Sequence, residues 1–156
     1  MIGLLVVLGC GIVFFFLAQI TASPTTYNPE HDIQRKKCQS KPEKQVYDAL
    51  CYKGYHPVVQ HKVQNTRYKL DFAFFSPTGA KIDVEVDGPF HRTPEGAKRD
   101  KIRDKYMKLH EWKVIRITDI ALKKDFQKQI LLLEATLNEQ GIYPSGDAAF
   151  VLSEQK

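Results

Sequence analysis

Carboxylates stand at every second position of Ile82-Asp83-Val84-Glu85-Val86-Asp87-Gly88, and another, Asp71, stands upstream in Lys69-Leu70-Asp71-Phe72. Side chains two apart on a strand share a face, so the alternation predicts a hairpin with its acids gathered on one side. Converging carboxylates are what hard divalent cations take as ligands, and activated water at phosphate esters is the chemistry that follows. Apolar residues alternate at Tyr68, Leu70, Phe72 and Phe74, then at Ile82, Val84 and Val86, which assigns Asp71, Asp83, Glu85 and Asp87 to the face away from the core. With Ser76 to Ala80 as a five-residue loop closed by Phe75 and Lys81, paired residue numbers add to 156 and Asp71 stands across from Glu85. Directly opposed β-carbons are about 4.5–5.5 Å apart, where like charges repel unless something offsets them. A shared cation would offset them. The competing reading is a solvated face, with Lys69 opposite Asp87 as a surface ion pair worth at most about 1 kcal/mol.

The elements that must position these acids are legible in outline. Ser40-Lys41-Pro42-Glu43 is a capping-box pattern that opens a helix running to about Lys53, with Val46, Tyr47, Leu50 and Cys51 apolar and Gly54 as its stop. Pro57 to Gln64 reads as a first strand, Asn65-Thr66 as a turn, Arg67 to Phe75 and Lys81 to Asp87 as the hairpin, and Gly88-Pro89 as its end. A second helix from about Gly96 to Glu111 is expected to bury Ile102, Tyr106 and Leu109. Trp112 to Ile117 is a fourth strand, and the helix before it makes a crossover parallel to the third strand the natural connection. Thr118 or Asp119 caps a last helix to about Gln140 with Leu122, Phe126, Ile130, Leu133 and Leu137 inward.

The order of these motifs carries a resemblance. A helix with Ser-x-x-Glu, a strand with Asp71, a strand with Glu85-Val86-Asp87-Gly88-x-x-His91, a helix with Arg99-Asp100-x-x-Arg103-Asp104, then Glu111-Trp112-x-Val114-x-Arg116 resembles the very-short-patch-repair-like endonuclease domains of the PD-(D/E)XK superfamily, over about residues 40 to 118. The resemblance implies an α/β, restriction-endonuclease-like core: helix, three-stranded meander, helix, fourth strand parallel to the third, C-terminal helix. It also implies that Asp71 and Glu85 bind a catalytic Mg²⁺, with Mn²⁺ as a substitute, and that Glu43 and His91 flank it. Asp87, on the same face, is a further ligand, water-orienting group or base. Two departures stand out. Leu70 replaces the proline of the first motif, and Asp87 stands where the superfamily's lysine lies, leaving Lys69 and Lys101 as candidates for that positive charge. Glu43 has a plainer role as the closing residue of the capping box, and His91 as an exposed loop histidine. Arg99 and Arg103, four apart, suit phosphate contacts, with surface i, i+4 pairing to the aspartates as the plainer role. His31, His56, His61 and His110 have no converging partners in the sequence, and Trp112 reads as core.

Composition bounds the rest. The 156 residues carry a formal net charge of +5. Between Lys98 and Lys128 eleven Lys or Arg stand against five Asp or Glu, a bias that favours polyanions or an anionic membrane surface. Cys10, Cys38 and Cys51 have neither disulfide nor zinc spacing and read as free thiols of a reducing compartment. Residues 1–22 contain no charged side chain, enough length for a transmembrane helix, and Arg35-Lys36-Lys37 beyond it assigns the remainder to the cytoplasmic side. The expectation is a single-pass anchor in the cytoplasmic (inner) membrane at 1–22, a linker at 23–39, a nuclease-like domain at 40–140 and a flexible tail at 141–156. Ile20-Thr21-Ala22 keeps open a cleaved leader and a secreted protein. The functional expectation is a membrane-anchored, Mg-dependent deoxyribonuclease acting on DNA with low sequence specificity. The rivals are an inactive nucleic-acid-binding module tethered to the membrane and a basic protein that docks on anionic lipid. Oligomeric state is not legible.

Overall fold

The structure, a computed structural model, describes residues 29–145; the expected membrane segment and the end of the tail lie outside them. The chain runs α1 (Pro29–Lys37), α2 (Lys41–Tyr52), β1 (Val58–Lys62), β2 (Lys69–Phe75), β3 (Lys81–Asp87), a 3-10 turn (Pro89–Arg92), α3 (Pro94–Leu109), β4 (Trp112–Thr118), α4 (Asp119–Lys124) and α5 (Phe126–Glu139). The strands form one sheet in the order β1-β2-β3-β4, antiparallel except for the β3–β4 pair. Among the described residues no helix is long and apolar enough to cross a membrane.

One sheet face packs Phe72, Phe74, Ile82, Val84, Val86 and Ile117 against α2, α4 and α5, whose Val46, Leu50, Leu122, Ile130, Leu133 and Leu137 are buried. The other face packs Ala73 and Trp112 against Met107 of α3, together with Val63 and Leu70 from the β1–β2 hairpin. The register Phe72↔Val84 through Phe75↔Lys81 is the one that the loop length specifies. Its turn is closed by Ser76, whose Oγ accepts from the Ala80 N–H, with Gly79 at a φ of 90°.

The apolar alternation misassigns two residues. Leu70, with Tyr68 beside it, belongs to the second face with Ala73, while Phe72 and Phe74 belong to the first. The reversal occurs where Gln60 of β1 adopts a left-handed φ of 56°, between the Val59↔Phe72 and His61↔Leu70 pairs. A left-handed residue breaks a strand's alternation, so the outer half of the hairpin turns over onto the second face.

Helix α3 also differs from its sequence pattern. Ile102 and Leu109 are exposed, whereas Gly96 and Met107 are buried and Arg103 points inward. The apolar spacing misleads because the sheet face that α3 covers is carboxylate-rich, and a guanidinium meets that face better than an isoleucine does. Gly96 lets the helix start close: a β-carbon there would lie 2.1 Å from the Phe90 carbonyl oxygen.

The segment read as linker includes α1, tied to α2 by the Arg35–Asp48 pair at 2.7 Å and to β1 by the Gln34 amide oxygen, which accepts from the Val59 N–H. The last helix is two helices, because Asp125 stops α4 and caps α5 by accepting from the Lys128 N–H. Of the expected tail, Ile142 is buried and the Ser145 N–H donates to the Gly54 carbonyl at 2.9 Å. Gly96→Ala should lower stability by about 1–3 kcal/mol through overpacking of α3 on the 3-10 turn. Urea denaturation checks this, and an unchanged midpoint would mean that α3 is seated differently.

Candidate active site

Backbone pairing between β2 and β3 runs from Phe75 to Phe72, and beyond it side chains take over the ladder. The Asp71 N–H donates to Glu85 Oε1 at 3.2 Å, and the Val86 N–H donates to Asp71 Oδ2 at 3.0 Å. The strands part here because the hairpin turns over, and the two carboxylates satisfy the N–H groups that parting strands would leave bare. Asp71 and Glu85 are thus held together by the backbone itself, as the register requires.

A polar chain supports Asp71 from behind. The Gln60 amide donates to Asp71 Oδ1 at 3.2 Å, and the Gln39 amide donates to Gln60 Oε1 at 3.0 Å. Glu43 is buried and accepts from the Gln39 N–H at 2.8 Å, while Ser40 Oγ accepts from the Glu43 N–H at 3.2 Å. One half of the capping box therefore forms. The other half shifts by one residue, and the Glu43 charge is felt at Asp71.

The acid face is not a solvated surface. Asp83 is fully buried, and Glu85 and Asp87 are 5% and 6% exposed under α3. Arg103 is the cation that meets them: its Nη1 donates to Glu85 Oε2 at 2.7 Å and its Nη2 to Asp83 Oδ2 at 2.7 Å, with a further bond to Glu85 Oε1. Arg103 is thereby engaged internally and is not presented to a phosphate, which corrects the role expected of it. Lys69 and Lys101 lie exposed. Asp83 was missed as a site residue, although its place two positions before Glu85 on the same face was the available signal.

Burial, reinforced by the charge of Glu85, pushes the Asp71 carboxyl up to about 7. Burial and then the hydrogen bond to Glu85 push Asp83 up to about 9. At Glu85 burial also acts upward, but the Arg103 and Asp83 hydrogen bonds outweigh it and hold the group below its ordinary value. Burial lowers Arg103, and the Glu85 hydrogen bond and charge more than reverse that. Arg103 thus balances Glu85, while burial keeps the proton on Asp83 at neutral pH.

A second group lies at the end of β3. His91 Nδ1 is 2.9 Å from Asp100 Oδ2 and 3.5 Å from Asp87 Oδ1, and one ligand atom from each of the three lies within 4.8 Å of the others. Arg116 braces the group, with Nη1 donating to Asp87 Oδ1 at 2.9 Å and Nη2 to Asp104 Oδ1 at 2.7 Å. Asp87 pairs with Arg116 and not with Lys69, because β2 has already left β3 by that point. Arg116 also went unrecognised as a site residue, although the parallel register sets it beside Glu85. Arg99 is exposed, its guanidinium 5.5 Å from the Phe90 ring centroid.

The model of a restriction-endonuclease-like family, REase_MTES_1575, matches residues 43–137, well over half of the chain and all of both carboxylate groups. The chain belongs to that family. Comparison with curated proteins and with solved structures gave no match. The four-stranded mixed sheet between helices fits a restriction-endonuclease-like fold, and the domain is nuclease-like.

The Asp71 shift sets a pH dependence. An unfolded Asp71 loses its proton near 3.8 and the folded one near 7, so between those values the native state binds more protons and stability falls as pH rises. In metal chelator, the stability of the wild type should decline from about pH 4 upward, with Asp71 contributing up to about 7 and Asp83 up to about 9, and Asp71→Asn should make the decline between about pH 4 and 7 shallower. Denaturant midpoints across the range measure it, and an identical slope in both proteins would contradict the assigned environment.

Proposed function

We propose that this chain hydrolyses DNA phosphodiester bonds with a divalent cation held by Asp71 and Glu85, in the manner of the very-short-patch-repair-like nucleases that its Glu85-x-Asp87-Gly88-x-x-His91 pattern resembles. The observation that carries the reading is the parting of β2 from β3, which seats two carboxylates on each other's backbone N–H groups. The donors fit the group: the hard carboxylate oxygens of Asp71 and Glu85, brought together by the parted strands, suit Mg²⁺ or Mn²⁺. When bound, such an ion lowers the pKa of coordinated water and neutralises charge on the phosphate.

The chain's own groups have separate tasks. Asp71 and Glu85 bind the ion, and Gln60 orients Asp71. Arg103 fixes the Glu85 carboxylate and supplies the positive charge that the missing lysine would give. Asp100 accepts from Nδ1 of His91, which leaves Nε2 as the ring nitrogen that takes or gives a proton at the reacting phosphate. Lys98, Arg99, Lys101, Lys105 and Lys108 are exposed along α3 and hold the strand through backbone charge, with low sequence specificity.

A second reading, a binding module without hydrolysis, is favoured by one observation: Arg103 already occupies both Glu85 oxygens. The Asp87–His91–Asp100 group is the alternative cation position under either reading. Residues 1–22, free of charged side chains, support a single-pass anchor with the nuclease-like domain on the cytoplasmic side.

Cleavage of plasmid and oligonucleotide DNA in Mg²⁺, Mn²⁺ or chelator separates the readings. Asp71→Asn and Glu85→Gln should each lower metal-dependent cleavage by about a hundredfold or more while leaving DNA retention in chelator intact. Cleavage that persists in both variants would reject the assignment; retention with no cleavage by the wild type would favour the binding module.

A further inference from the structure

The sequence offers His61 and His110 no partners, yet the fold brings both to one open cleft of about 350 Å³. The cleft lies where the turned-over β1–β2 hairpin meets the end of α3 and the starts of β3 and β4, and Asn65, Lys81, Tyr106 and Trp112 also line it. Its walls are built of rings. Tyr106 and His110 stack at 4.0 Å between centroids with planes 20° apart, and His61 lies 5.8 Å from Trp112. The Lys81 ammonium donates to the His110 carbonyl at 2.7 Å and lies 5.9 Å from the Trp112 ring centroid.

The rim is fixed and polar. Asn65 is exposed and held at a φ of 57° in a turn closed by Thr66, whose hydroxyl donates to the Val63 carbonyl and accepts from the Tyr68 N–H. Burial holds the His61 pKa below its ordinary value. Stacking faces suit any base because every base has a π-face, while a rim amide reads base edges as both donor and acceptor. A cleft of this volume lies within the range of small-molecule sites. Lys81 precedes Glu85 by four strand residues, about 13 Å along β3 at the usual rise.

We propose that this cleft binds one unstacked nucleobase of the nucleic acid, a few nucleotides from the phosphate at Asp71 and Glu85. The occupant's role as substrate rests on the nuclease reading, whereas binding itself does not. A base inside a stacked duplex cannot enter, so the cleft favours single-stranded or locally opened substrate.

Trp112, the chain's single tryptophan, reports on the cleft directly. The full chain in detergent and metal chelator is titrated with dAMP and dTMP, with deoxyribose 5-phosphate and inorganic phosphate as controls, by selective tryptophan fluorescence. Saturable quenching by the nucleotides and not by the controls is expected. Asn65→Ala and His110→Ala, both at exposed positions, should each weaken it, His110→Ala by up to about tenfold. Quenching by phosphate alone, none by any nucleotide, or affinities unchanged in both variants would overturn the proposal. If nucleotides fail to bind while carboxylate-dependent cleavage persists, the cleft assignment falls and the nuclease reading stands; quenching without cleavage supports the cleft and counts against the nuclease reading.

Discussion

The structure depends on where β2 leaves β3. A backbone N–H without a partner in a buried setting costs free energy on the scale of a lost hydrogen bond, so the parting strands must find substitutes. Asp71 and Glu85 are those substitutes, each accepting from the other strand's backbone at 3.0–3.2 Å. The same bonds that repair the sheet hold two acids face to face. A left-handed Gln60 lets the hairpin turn over, and its amide then secures Asp71. One backbone reversal therefore sets both the second core and the acid pair.

Charge balance follows from that arrangement. Three acids, Asp71, Asp83 and Glu85, share a buried region with one guanidinium, and burial raises two of their pKa values. Breaking such a pair by removing one partner is costly, which explains why α3 turns Arg103 inward and leaves Ile102 in solvent. A divalent cation at Asp71 and Glu85 would displace the proton that burial keeps on Asp71 near neutral pH. At the end of β3 the pattern recurs, with Arg116 set between Asp87, Asp100 and Asp104 beside His91.

Much of this was legible in the residues. Period-two alternation and the Ser76–Ala80 loop gave β3 its limits and its register against β2, and Ser40 and Thr118 act as the caps their types suggest. What escaped was set by tertiary contact. The polar face of α3 looked like solvent because nothing local shows that its partner face is acidic. Arg116 stood in the sequence only as the last residue of a motif, with no role until the parallel register set it beside Glu85. The reversal between Leu70 and Phe72 has no signature in hydrophobicity, since Gln60 is an ordinary strand residue by type. Asp83 was read as one more acid on an open face, and only the packing of α3 buries it.

Electron paramagnetic resonance of Mn²⁺ titrated into the full chain and its variants tests most directly whether the parted strands form a cation site. The account expects a bound Mn²⁺ whose affinity drops about tenfold or more in both Asp71→Asn and Glu85→Gln, while Asp87→Asn and His91→Gln leave it nearly unchanged. Affinity that survives both former substitutions, or that is lost only with the latter two, would contradict it.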